Sequence, residues 1–164
     1  MIDKSRTACF TGHRNIPSEQ QPLIEKRLDD IIERLYRHEV VFFGAGGAYG
    51  FDFLAESAVL RAKQKHHEIK LILVLPCKNQ DKYWNYRDRA AYKQMLKNAD
   101  KIVRVSENYD SRCMLKRNRH LVDYSGYCVC YMTKNSGGTA YTVRYAAEQG
   151  LNIINLYEDQ PFNF

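Results

Sequence analysis

Val40-Val41-Phe42-Phe43-Gly44-Ala45-Gly46-Gly47-Ala48-Tyr49-Gly50-Phe51-Asp52 decides how the rest of the chain is read. Its first half is a short run of β-branched and aromatic residues, the signature of a buried strand over residues 40–44. Four glycines then fall within seven residues, and a helical period follows over 52–64. Strand, glycine loop and helix in that order open a βαβ unit. Working outward, further strands are expected at 7–11, 70–75, 101–105, 127–132 and 152–156. Helices are expected between them. The first starts after Pro17, with Ser18 and Gln21 spaced as a capping box and Ile24, Leu28, Ile31 and Leu35 on one face. Others are expected at 81–98, 111–123 and 139–149, the last stopped by Gly150 as its C′ glycine. Six strands alternating with five helices predict a Rossmann-like, doubly wound, mainly parallel six-stranded α/β sheet with helices on both faces. The commonest order of that class, 3-2-1-4-5-6, is the expectation here. A single domain over residues 1–164 is expected, since the composition never breaks.

The composition narrows the class. With 164 residues, 45% hydrophobic and 27% charged, the chain is of ordinary globular make-up. No run approaches the roughly 18 apolar residues of a membrane span, and the first ten residues have no apolar signal segment. A cytoplasmic protein with no membrane partner is expected. The cysteines, Cys9, Cys77, Cys113, Cys128 and Cys130, are odd in number and sit largely in apolar runs. They read as reduced structural thiols, and no spacing among them suits a metal. A net charge of +6 suits an anionic small molecule, with weak nucleic-acid association beside it. No basic block forms a tail, and a homo-oligomer is left open.

In open α/β sheets ligands bind beyond the carboxyl ends of the strands, where the strand order reverses. The expected order puts that crevice between strands one and four, flanked by strands two and five. Thr11-Gly12-His13-Arg14 leaves strand one. Its arginine can fork onto a phosphate, and its histidine can donate a hydrogen bond or move a proton. Gly46, Gly47 and Gly50 follow strand two and, with the helix behind them, form an expected phosphate cradle. The spacing is neither GxGxxG nor a Walker loop, and no acid follows strand three to hold a ribose, so a standard NAD-dependent dehydrogenase is disfavoured. Asp52 is read either as a helix cap or as a ribose ligand. Ser106-Glu107-Asn108-Tyr109 leaves strand four. After strand five, Gly137-Gly138-Thr139 repeats the loop-and-helix device, with Thr139 also readable as an N-cap. Arg117-Asn118-Arg119 lies on a helix, where residues two apart diverge, so one arginine at most should reach the crevice.

Together, the segments Cys9-Phe10-Thr11-Gly12-His13-Arg14, Gly46-Gly47-Ala48-Tyr49-Gly50-Phe51-Asp52 and Leu73-Val74-Leu75-Pro76-Cys77 resemble the YpsA-like family of the SLOG superfamily. Gln80, Trp84, Cys113-Met114, Arg117-Asn118-Arg119 and Gly137-Gly138-Thr139 with Thr142 extend the resemblance across nearly the whole chain. That superfamily also holds the DNA-processing protein DprA and the LOG phosphoribohydrolases. The resemblance implies a Rossmann-like fold and a site for a nucleotide-derived ligand such as a nucleotide, ADP-ribose or an NAD-like molecule, with no required cofactor. LOG enzymes carry a catalytic glutamate after their glycine motif. Here Thr142 takes its place, or Arg144 if counting starts at the first glycine pair, and neither supplies a carboxylate for a cationic transition state. Asp52 or Glu107 is the expected substitute if the protein is a hydrolase. The Gly137–Thr142 and Arg117-Asn118-Arg119 segments look more like DprA. That implies single-stranded DNA binding as an alternative, with Tyr83, Tyr86 and Tyr92 near Arg87 and Arg89 as its stacking candidates.

Overall fold

Alternation along the central strands sorts the apolar residues into two cores in the computed structural model, which describes residues 3–158. In β1 (Thr7–Gly12), Ala8 and Phe10 join one core and Cys9 the other. In β5 (Tyr127–Tyr131), Val129 and Tyr131 face the first core and Cys128 and Cys130 the second. This is the two-residue period of a strand buried on both faces. The larger core is closed by α1 (Gln21–Arg37), α2 (Phe51–Lys65) and α3 (Tyr86–Asn98). The smaller is closed by α4 (Cys113–Asp123) and α5 (Gly138–Glu148). All five cysteines are buried and free. Burial lifts the Cys130 thiol to about 12, so it stays protonated and inert at neutral pH.

The remaining strands are β2 (Phe42–Ala45), β3 (Lys70–Leu75), β4 (Lys101–Arg104) and β6 (Asn152–Asn155). All six are parallel, in the order β4-β3-β2-β1-β5-β6. The class is the expected one, but the order is not. The chain steps outward three times, from β1 to β4, and then returns to lay β5 beside β1. The reason lies in the strands themselves. Lys-Ile-Val-Arg is short and exposed at both ends, the charged character of an edge, whereas Tyr-Cys-Val-Cys-Tyr is apolar enough to be central. The order therefore reverses between β1 and β5. β2 and β5 stand two steps apart, roughly 9–10 Å, rather than three.

Two helix starts also differ from expectation. Gln20 donates its backbone N–H to the Pro17 carbonyl (2.9 Å), closing a short 3-10 turn over Ser18–Gln20. Ser18 is thus inside a turn, and no capping box forms. α3 begins at Tyr86 because the Asn85 side chain accepts the Asp88 N–H (2.8 Å) and caps the helix there. Gly150 follows α5 with φ +82°, as its C′ position requires. Among the described residues no helix is long and apolar enough to cross a membrane.

Candidate functional site

The segment leaving β1 is clamped onto the start of α2. Gly12 lies against Phe51 so closely that a Cβ there would fall 2.5 Å from its ring. Phe51 donates its N–H to the His13 carbonyl (3.1 Å), and a Cβ on Gly50 would stand 2.1 Å from the Arg14 carbonyl oxygen. Across the reversal point, His13 Nε2 accepts the Thr133 N–H at 3.0 Å. That bond places the imidazole proton on Nδ1, and burial together with the Lys134 charge holds the ring below its usual pKa. His13 is thus a neutral tie between the β1 and β5 loops, and its Nε2 is an occupied acceptor rather than a donor.

The glycine loop after β2 differs from its expected role. Its Gly47 and Ala48 amides are already occupied by the protein's own acids. Glu56 Oε2 accepts the Gly47 N–H (3.0 Å), and Asp52 Oδ2 accepts the Ala48 N–H (3.3 Å). The Gly46 carbonyl accepts from Arg117 Nη1 (2.6 Å) and from Gln80 Nε2 (3.1 Å). A Cβ on Gly46 would meet the Arg117 guanidinium at 2.3 Å, and Gly47 sits at φ +76° against Leu75, Gln80 and Tyr92. Two carboxyl groups one helical turn apart on α2 thus stand at the expected phosphate position. The cradle is filled from within. Asp52 is neither the N-cap of α2, which is Gly50, nor an unpartnered ribose ligand.

This buried group has its own electrostatics. Glu56 is 1% exposed and Arg117 6%. Burial, and then the Asp52 charge, push the Glu56 carboxyl well above the usual carboxylate range. Burial also raises Asp52, against the pull of Arg117. The arrangement is one guanidinium with two acids, of which Glu56 gives up its proton the less readily. Arg117 Nε also donates to Asn118 Oδ1 (2.8 Å), while Arg119 turns away to the Tyr141 hydroxyl (2.6 Å). The divergence of the two arginines is the one expected.

The open side of the crevice is at α5. Gly137 has φ +94°, and a Cβ on Gly137 or Gly138 would meet nothing within 4 Å. Gly137 is the N-cap, so Thr139 lies inside the helix and is not the cap. A cleft of about 520 Å³ opens here, over the carboxyl ends of β1 and β5. Thr11, Gly12, His13, Arg14, Asp52, Arg117, Asn118, Gly137, Gly138 and Thr139 line it. Gly46 and Gly47 do not line it, Gly50 lines a neighbouring cleft, and Thr142 is a buried α5 residue whose hydroxyl donates to the Gly138 carbonyl (2.9 Å). Sequence reasoning missed Thr133 and Lys134 in the β5 loop, along with Asn15. Lys134, just ahead of the second glycine motif, was the available signal.

Of the acids expected to replace the missing glutamate, Glu107 follows the edge strand β4, far from the reversal point, and pairs with Lys78 (2.9 Å). Only Asp52 reaches the cleft. Of the expected stacking tyrosines, Tyr92 is a core residue near the Gln80 amide, whereas Tyr83 and Tyr86 are 88% and 89% exposed.

Residues 9–156 match a family model described as the YspA SLOG family. The SPbeta prophage-derived protein YoqJ of Bacillus subtilis is 33% identical over 156 residues, covering 86% of this chain and 90% of that one. A UPF0398 protein of Halalkalibacterium halodurans is 27% identical over 129 residues, covering 77% and 68%. In fold, the chain is similar to DNA processing protein A of Streptococcus pneumoniae, with a TM-score of 0.66 and 17% identity. It spans 92% of this chain but half of that one. DNA processing protein A of Helicobacter pylori superposes with a TM-score of 0.67 at 17% identity, over 98% of this chain and 68% of that one. The structure of TM1055 gives a TM-score of 0.57 at 15% identity, over 90% and 72%.

Proposed function

The chain belongs to the YspA SLOG family, and on that premise we propose that it binds or senses a phosphorylated, nucleotide-derived ligand in the cleft over β1 and β5. The observation that carries this reading is the start of α5. Its first turn offers backbone N–H groups with no helical partner and a positive dipole end, and two glycines leave the approach open. Lys134 and Arg14 line the same cleft, so an anion there meets two cations as well as the helix terminus. The phosphate thus sits on the second glycine motif rather than the first. Asn118, whose Oδ1 is held by Arg117, keeps its amide hydrogens for a ligand hydroxyl.

Calorimetric titration with AMP, ADP-ribose and NAD tests this, using Gly138→Asp as the control. An aspartate fits the open space, and at a helix start it stabilises by about 0.3–1 kcal/mol. It also puts a negative charge where the phosphate belongs. We expect a folded variant with affinity lower by about tenfold or more, the worth of a charge-assisted hydrogen bond. Full affinity in Gly138→Asp would refute the placement. Release of free base or phosphate would instead assign a hydrolase with Asp52 as its carboxylate.

Single-stranded nucleic acid is the second reading. The Helicobacter pylori neighbour is described as binding single-stranded DNA. In this chain the exposed Tyr83 and Tyr86, with the Lys82 ammonium 5.3 Å from the Tyr83 ring centroid, offer stacking surfaces beside a cation.

A further inference from the structure

A second cleft, of about 890 Å³, opens on the far side of Arg14. The two clefts share Arg14 as a wall, and its backbone is immobilised by Gly50 and by the clamp on α2. Its guanidinium lies over the Tyr49 ring, 5.2 Å from the centroid. Tyr49 in turn meets Trp84 edge-on, with centroids 5.1 Å apart, and the exposed Tyr83 stands at the rim. The two clefts differ in charge. The first carries three cations, Arg14, Lys134 and Arg117, against one acid, Asp52. In the second, Arg14 is the only cation among the described lining residues, and the other charged groups are Glu25 and Asp88.

We propose that this second cleft is the nucleobase subsite of the same ligand. The protein would then recognise a nucleotide extended through its phosphates to a further sugar, the class to which ADP-ribose belongs. This rests on the phosphate site proposed above. Acids in the second cleft repel a phosphate but accept hydrogen bonds from the amino and hydroxyl groups of a nucleoside. Its aromatic walls suit a planar ring. Arg14, at the boundary, contacts the bridging phosphates from either side. Each cleft alone falls within the roughly 300–1,000 Å³ of a small-molecule site, so the pair exceeds what a mononucleotide fills.

Trp84 is the only tryptophan in the chain, so its emission reports directly on the second cleft. We expect ADP-ribose and ribose 5-phosphate both to bind by calorimetry, with only ADP-ribose changing Trp84 fluorescence. Tyr49→Leu should weaken ADP-ribose by roughly tenfold, within the loss typical when a stacking aromatic is removed, and ribose 5-phosphate by clearly less, since only the packing of Arg14 on that ring is common to both probes. Should Tyr49→Leu fail to fold, the wild-type emission comparison decides alone. ADP-ribose binding with unaltered Trp84 emission would overturn the base subsite and leave the phosphate site standing. If neither probe binds, the phosphate site fails and the subsite with it. A thymidine oligonucleotide that shifts Trp84 emission when ADP-ribose does not would give the cleft to a nucleic-acid strand and overturn the proposal.

Discussion

Glu56 shows how one side chain can tie stability to pH. Its carboxyl is buried beside Asp52, and the Gly47 N–H and Arg117 only partly offset that cost. The folded protein therefore holds the carboxyl proton to a higher pH than the unfolded chain does. Where the folded state binds more protons, stability falls as pH rises. This contribution is absent below the unfolded glutamate value, about 4.3, and grows as pH climbs toward the raised folded value. Glu56→Gln offers the Gly47 N–H an amide oxygen in place of the carboxyl oxygen and does not titrate. Its melting temperature should exceed that of the wild type at about pH 8, and the difference should shrink toward about pH 5. Parallel melting curves across that range would show that Glu56 is ionised in the fold. The spacing of Asp52 and Glu56 is visible in the sequence. Their burial is not, because it depends on α4 delivering Arg117 from far along the chain.

At the scale of elements, two loops of similar composition do different work. The loop between β2 and α2 is closed by acids from its own helix, while the loop between β5 and α5 stays open. The contrast predicts opposite outcomes for the same kind of substitution. Gly47→Asp forces a side chain into a positive-φ site, 2.9 Å from Leu75, and adds a third carboxylate beside Glu56. Strain of about 1–3 kcal/mol and an unpaired buried charge together should remove most of the stability, so circular dichroism should show an unfolded or low-melting protein. A Gly47→Asp variant that melts like wild type would mean the loop is not closed as described. Glycine clusters alone do not distinguish these cases. The side chains that fill or spare the loop do, and they arrive from other elements.

At the scale of the whole molecule, the net charge of +6 and the cleft make separable predictions. A nucleic-acid strand held by many phosphates releases many counterions, and its affinity falls by about 0.7 log units per contact per decade of salt for single strands. A ligand engaging one or two phosphates in a cleft should show a much shallower slope. We expect weak, salt-sensitive binding of single-stranded DNA beside salt-tolerant binding of ADP-ribose, with Arg14→Ala weakening the second far more than the first. Tight DNA binding near 0.15 M salt, with no small-ligand binding at all, would favour the second reading of function.

Strand and helix type, a parallel sheet with two covered faces, and the convergence of the β1 and β5 loops were legible in the sequence. They follow from local periodicity and from the rule that parallel strands present their carboxyl ends together. The edge character of Lys-Ile-Val-Arg was legible too, yet the commonest order of the class outweighed it in the expectation. Only the tertiary structure decided which glycine loop stays open, that His13 ties two loops as a hydrogen-bond acceptor, and that Glu107 stands far from the crevice. Each of these depends on pairings between residues tens of positions apart. Local pattern says what an element is; which neighbours fill the space around it is settled by packing.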